Sequence, residues 1–471
     1  MTLFHLGIGV LLTFFAAFLF DGQKRGFLLF TFSILAVYAL QPALPIRYLD
    51  FWLPTAALGL IFFLWVAITP SEAVRSRENR LSMTWMIILI LLLAITRYTF
   101  SETFLTASIP PRIEQVIVSL IFLAGLVWIA GRVPKTWASS LGIVVSIGLL
   151  IVIKSPQASL WAAQALRAIN NQGLQAASTF DIRWLGFSYI AFRLIHTLQD
   201  SLKGRAPVVS LQEYVTFILF YPALTAGPID RLERFIKDLR APFLWKNADW
   251  DFIVKRLTLG LLKKFILADS LALIALSPQN APQIQSSVWA WILLYAYTLQ
   301  IYLDFSGYTD LALALARLAG VHLPENFNQP YTKPNLTQFW NNWHMSLTQW
   351  FRAYLFNPLT RTLRGTSLPV WSIIFLTQIV TMTLIGLWHG ITLNFIIWGL
   401  WHGLGLFVHN RWQDALRRRV SEWASTYLTQ RILNFSGVVL TFHFVALGWV
   451  WFVLPTPRMA LDFLTLLFPI R

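Results

Sequence analysis

The sequence predicts an all-α, polytopic integral membrane protein, and three observations carry that prediction. Of its 471 residues, 56% are hydrophobic and only 12% are Asp, Glu, Lys or Arg, about half the roughly 25% charged share of a soluble domain. Runs of about 20 residues free of these four types, the length that crosses a bilayer core, recur along the chain. The formal charge of +16 would point to nucleic acid in a soluble chain. Here it sits largely in connections, as basic residues do in the cytoplasmic loops of membrane proteins. A soluble globular enzyme is excluded. With no cysteine present, disulfides, a thiolate nucleophile, Cys-ligated metal and sulfur-linked lipid are excluded too; a metal would need His and carboxylates, and none is expected.

Uncharged runs at 1–20, 26–46, 51–70, 81–96, 115–131 and 136–153 fill the first third. Further candidates are 214–229, 284–303, 365–388, 391–408 and 432–454, which leads us to expect about eleven to thirteen membrane-embedded helices. Lys24/Arg25, Arg75/Arg77/Arg80 and Arg132/Lys135 fall in the first, third and fifth connections, against Arg47 and Arg112 in the second and fourth. The odd connections therefore read as cytoplasmic and Met1 as outside. No basic residue precedes the first run, so it reads as a retained helix rather than a cleaved signal peptide. The connection at 154–180 carries Leu160, Trp161, Ala165, Ile169 and Leu174, a pattern expected to form an amphipathic helix on the outer surface, packed as a cap. No internal repeat is found, whereas many transporters show one.

Ionisable residues at membrane depth are costly and mark structural pairs or a functional path. Asp304 and Asp310 interrupt the apolar run 288–318 around Gly307 and Tyr308. Gly307 is expected to loosen the helix there, and the carboxylates to pair with Arg193, Arg317 or freed backbone amides; direct catalytic use is the alternative. A turn-rich stretch at 323–331 follows, with Asn326 and Asn328. Then Trp340, Trp343, Leu347, Trp350, Phe351 and Tyr354 recur at helical spacing, so one helix with a broad aromatic face is expected over 338–354. His344 lies within or beside that face, with Ser346 and Arg352 further along. Trp388-His389-Gly390 ends one apolar run and Trp401-His402-Gly403 sits in the next. Either histidine could be a hydrogen-bonded structural group. His389 is the better candidate base, because it falls where two runs meet, and a buried neutral imidazole can accept a proton near pH 7. Lys255/Arg256 and Lys263/Lys264, eight residues apart, read as one side of a helix facing lipid headgroups or an acidic carrier protein. Serine-elbow, P-loop, zincin and dinucleotide fingerprints are absent.

Five blocks carry a resemblance: Gly227-Pro-Ile-Asp-Arg231, Tyr302-Leu-Asp-Phe-Ser-Gly-Tyr308, Pro324-Glu-Asn-Phe-Asn328, Phe339-Trp-Asn-Asn-Trp-His-Met-Ser346 and Leu387-Trp-His-Gly390. In this order, over 182–409, they resemble a membrane-bound O-acyltransferase (MBOAT) of the bacterial polysaccharide and cell-wall branch. Tyr302 to Asp310 and Gly448-Trp449 are similar to alginate O-acetylation proteins. Gly227 to Arg231 with Arg234-Phe235, and Trp343 to Ser346, are similar to D-alanyl transfer proteins of teichoic acid modification. Asn341, Asn342 and Ala353 depart from both patterns.

The resemblance implies a ring of helices around a central reaction chamber, with His389 catalytic and His344 in the same centre. Asp304, Tyr308, Asn326, Asn328, Trp343, Ser346, Arg352 and Trp388 bind substrate or shape the site. The expected divisions are a transmembrane scaffold (1–155), the outer connection (156–181), the core with the reaction centre (182–409) and a C-terminal transmembrane segment (410–471). The expected reaction moves an acetyl or D-alanyl group from a cytoplasmic thioester, acetyl-CoA or a phosphopantetheine carrier protein, to a hydroxyl of an extracytoplasmic polysaccharide or cell-wall polymer, or to a relay protein acting on it. His389 takes the hydroxyl proton, and His344 or a nearby Asn or Trp donor holds the oxyanion. No tightly bound cofactor is expected. The partners implied are the donor or acidic carrier, membrane lipid, a periplasmic or extracellular acyltransferase and a teichoic-acid-like or polysaccharide acceptor, in the plasma membrane of a prokaryote, with no nucleic acid. A polysaccharide or lipid transporter and a non-catalytic assembly subunit are the alternatives.

Overall fold

The computed structural model describes residues 23–99, 105–244, 246, 248–423 and 427–468. The expectations for the run 1–20 and for Met1 lie outside the described residues. Among the described residues the chain is helical, with no strand and one isolated antiparallel bridge. Its backbone contacts divide it into two compact units with interleaved bounds, 1–256 with 311–324 and 257–310 with 325–471. This division follows packing, whereas the four stretches expected from sequence follow the alternation of apolar runs.

The first unit contains α1 (Gln23–Ala39), α2 (Leu49–Ile68), α3 (Arg77–Thr99), α4 (Ile113–Ala130), α5 (Lys135–Lys154), α6 (Pro156–Ile169), α7 (Phe187–Leu202), α8 (Leu211–Leu219) and α9 (Leu232–Arg240), and most of α10 (Trp250–Leu261). Helices α2, α3 and α5 are long and apolar enough to cross a membrane; α1 and α4 are shorter apolar helices. Turn chemistry sets their ends. Thr69 turns extended ahead of Pro70 and stops α2, and Ser155 caps α6 by accepting from the Ala158 N–H, with Pro156 in the first turn.

Four expectations for this unit are corrected. Residues 214–229 do not form a span: α8 ends at Leu219, and a 3₁₀ turn at Tyr221–Ala223 follows, because Pro222 and Pro228 lack the N–H that a continuing helix needs. Arg25 is a buried member of α1 rather than a loop charge, and it donates to the carbonyls of Asp238, Leu239 and Ala241 at 2.7–3.2 Å. It thereby satisfies the C-terminal end of α9, where a cation is favoured. Arg193 likewise serves the end of α8, donating to Phe217, Ile218 and Ala223 carbonyls. Finally, α6 forms as expected but turns Ser159, Ala163 and Arg167 inward, while Trp161 and Ile169 are exposed. A buried Arg167–Asp181 ion pair at 2.7 Å decides that face.

The second unit contains α11 (Ser287–Leu318), α12 (Leu336–Asn342), α13 (Met345–Phe351), α14 (Asn357–Arg364), α15 (Val370–His389), α16 (Leu393–Trp423), α17 (Tyr427–Val453) and α18 (Pro457–Leu467); α11 passes from this unit into the first at residues 310 and 311. Helices α15 and α17 qualify as spans. Regular α-helix is interrupted twice by π-helix, at Leu262–Ala268 and Arg352–Phe356, a rare conformation often found at functional sites. Gly307 does not loosen α11, which is continuous. A Cβ there would sit 2.8 Å from the Lys264 backbone nitrogen, so the glycine admits the first π-helix against α11. Glycines also join α15 to α16: a Cβ on Gly386 would lie 2.1 Å from the Phe395 carbonyl oxygen, and one on Gly399 would lie 2.6 Å from that of Met382. Small residues permit this close approach of helices where lipid supplies no hydrophobic drive.

Candidate active site

His389 is the last residue of α15, and Gly390 turns extended before α16 starts at Leu393. The glycine-packed hairpin therefore fixes where the imidazole stands. Around it lie Trp388, Phe452, Trp398 and Phe395, with ring centroids 4.6, 4.8, 5.6 and 6.0 Å away.

His344 arrives differently. The expected single helix over 338–354 is broken: α12 ends at Asn342 and α13 starts at Met345. His344 sits between them in the left-handed region with φ of 42°. For a residue with a Cβ this conformation costs about 1–3 kcal/mol and needs support from its surroundings. Asn326 supplies it. The buried Asn326 side-chain oxygen accepts from Ser346 Oγ at 2.6 Å and from the Ser346 N–H at 3.3 Å, while its carbonyl accepts from the Met345 N–H at 2.9 Å. The Phe327–Trp343 bridge and the Asn328 N–H bond to the Asn342 carbonyl complete the clamp. Phe305 meets the His344 ring edge-on at 4.7 Å.

His344 and His389 line one cavity of about 60 Å³, together with Phe305, Trp340, Trp343, Trp398, Trp449 and Phe452. Trp388 bridges them in space, its ring 6.2 Å from His344 and 4.6 Å from His389. His344 is buried, and neither of its ring nitrogens is hydrogen-bonded to a described residue; the same holds for the indole N–H groups of Trp340 and Trp398. His344 lies outside the spanning helices, and burial pulls its pKa down to about 3, which keeps the ring neutral. A neutral imidazole offers one N–H and one lone pair. The box therefore holds two imidazoles and several indole donors in an apolar surround where such groups act strongly. Among the described residues no His, Asp and Glu cluster suits a metal ion.

The other sequence-predicted residues separate from this cavity. Lys264 pairs with Asp304 and Lys263 with Asp310 at 2.7 Å, so the lysines of the expected docking patch are bound to the two carboxylates. Arg317, an expected partner of those carboxylates, pairs with Asp249 at 3.4 Å. The eight-residue spacing that put Lys255 and Arg256 on one side with Lys263 and Lys264 does not apply, because the chain turns to π-helix at Leu262. Tyr308 is buried on α11, and Asn328 is exposed. Arg352 lines a second cavity, of about 230 Å³, and donates to Asn341 Oδ1 at 2.6 Å. Trp340 and Ile385 line both cavities and form the wall between them. His402 is fully buried among Trp340, Trp398 and Phe444 rings, away from the lining of the histidine cavity. Trp398 and Phe452 were not foreseen as site residues. Their only sequence signal is helical spacing, four residues before His402 and three after Trp449.

Residues 133–447 match the MBOAT, membrane-bound O-acyltransferase family. The chain belongs to this family. The MBOAT chain is 34% identical over 333 residues to a probable alginate O-acetylase AlgI of Pseudomonas aeruginosa, covering 70% of the chain and 59% of that protein. It is 33% identical to a teichoic acid D-alanyltransferase of Streptococcus thermophilus (49% of the chain, 58% of the relative) and to a peptidoglycan O-acetyltransferase of Helicobacter pylori (51% and 43%). The match thus spans less than two thirds of these relatives' length.

Proposed function

We propose that this MBOAT chain is an O-acyltransferase acting on a cell-envelope polymer. The observation that carries the proposal is the convergence of His344 and His389, 45 residues apart in sequence, on one aromatic cavity. In this reading a thioester carbonyl and an acceptor hydroxyl meet at the cavity. His389 takes the hydroxyl proton as the oxygen attacks the carbonyl carbon. The His344 N–H, with Trp340 or Trp398, stabilises the oxyanion. The carbon–sulfur bond then breaks, and the thiolate takes the proton back from His389, so the ring ends neutral. No acyl-enzyme is needed, in keeping with a chain that has no cysteine.

Acetyl is the favoured acyl group, because the alginate O-acetylase match extends over 70% of this chain and the D-alanyltransferase match over 49%. The favoured donor is acetyl-CoA or an acetylated carrier on the cytoplasmic side. The acceptor is a polysaccharide or peptidoglycan hydroxyl, reached directly or through a relay protein. The named relatives are bacterial, which supports a bacterial plasma membrane. Mass spectrometry of envelope polymers from a deletion strain tests this. Acylation should disappear and return with the wild-type chain but not with His389→Ala expressed at the same level. Restoration by His389→Ala would favour an assembly subunit, and unchanged polymer chemistry with lost export would favour a transporter.

A further inference from the structure

In the second unit a groove of about 1,550 Å³ runs along α16 and α17, above the roughly 300–1,000 Å³ of small-molecule sites. Its wall is graded. Away from the α16–α17 connection it is lined by Leu404, Leu440, Phe444 and Leu447, and Leu440 is 71% exposed although it lies on a spanning helix. Toward the connection it is lined by Gln413, Gln430 and Asn434. Gln430 and Leu447 are 17 positions apart on α17, about 26 Å of helix, close to the roughly 30 Å of a bilayer core. The polar end is also the cationic end. Arg411 and Arg431 flank it, and the connection itself reads Arg417-Arg418-Arg419 in sequence. Asp414, the acid in the lining, is already paired with Arg411 at 2.7 Å.

We infer that this groove holds an anionic phospholipid, its phosphate at the arginine-flanked end and its acyl chains along Leu404, Leu440, Phe444 and Leu447. A peptide would leave unpaired backbone groups against the apolar stretch. A zwitterionic lipid would gain little from the arginines, each worth about 1 kcal/mol toward anionic headgroups.

Native mass spectrometry of the purified full chain, titrated with phosphatidylglycerol, cardiolipin or phosphatidylcholine of matched acyl chains, tests the assignment. Phosphatidylglycerol or cardiolipin should bind at roughly tenfold lower concentration than phosphatidylcholine. Cardiolipin ahead of phosphatidylglycerol would identify a two-phosphate lipid as the source, and parity between them a single phosphate. Leu404→Trp with Leu440→Trp should remove the adduct by filling the groove, and Arg411→Gln with Arg431→Gln should erase the headgroup preference. Equal binding of phosphatidylcholine, or a preference that survives the arginine substitutions, overturns the inference. Those two comparisons need no groove filling and so decide even if the tryptophan variant misfolds.

Discussion

The two units solve the same problem, helices in lipid, in different ways. The first is built largely of regular apolar helices whose troublesome backbone ends are met by arginines, Arg25 on α9 and Arg193 on α8. The second bends its helices out of regularity: two π-helices, a left-handed His344 and a hairpin closed by Gly386 and Gly399. Irregular backbone is costly in a membrane unless it shapes a site. In the second unit it surrounds the histidine cavity.

Glycine substitutions break or sharpen this contrast most strongly. Gly386→Ala forces a Cβ to 2.1 Å from a backbone oxygen and should cost about 3 kcal/mol, read as lost thermal stability in detergent together with lost acyl transfer. A similar tolerance to alanine in both units would dissolve the distinction. The ion pairs on α11 come next. Asp310→Asn removes the buried partner of Lys263 and should cost about 3 kcal/mol, whereas Asp304→Asn, on a half-exposed side chain, should cost no more than about 1 kcal/mol. The two melting temperatures, measured side by side, check the order.

Asn326→Ala should destabilise by about 1–3 kcal/mol and lower kcat more than KM, because the clamp orients His344 without touching substrate; Asn326→Asp, which keeps the accepting oxygen, should recover part of the loss. A change confined to KM would remove the positioning role. The His344 ring also predicts a pH effect. Its pKa falls from 6.5 to about 3 on burial, so between those values the unfolded chain binds more protons than the folded one. The stability this contributes above pH 6.5 is lost as pH falls toward 3, and His344→Gln should flatten that part of the melting-temperature curve. The smallest effect expected is in the first unit. Gly148→Ala in α5 meets nothing within 4 Å and should be neutral or stabilising by up to about 1 kcal/mol.

The sequence showed most where physical chemistry is local. The runs that became α2, α3, α5, α15 and α17 were legible to within a few residues at most ends, because length and apolarity decide a span. His344 and His389 stood out as imidazoles beside tryptophans. What could not be read was tertiary. The aromatic spacing at 338–354 suits a continuous helix, and only Asn326, twenty residues before Ser346, breaks it at His344. Lys263 and Lys264 looked like free cations until the π-helix turned them onto Asp310 and Asp304. The apolar surround that Trp398 and Phe452 give the cavity depends on three separate helices meeting.

The central claim, that His344 and His389 form one reaction centre, is most directly tested by a double-mutant cycle on acyl transfer from labelled acetyl thioester in membranes. His389→Ala should lower the rate by roughly 10²–10⁴-fold, and adding His344→Ala should lower it little further, because groups that act as a unit are not additive. Losses that multiply independently, or a His389→Ala chain close to wild-type activity, would contradict it.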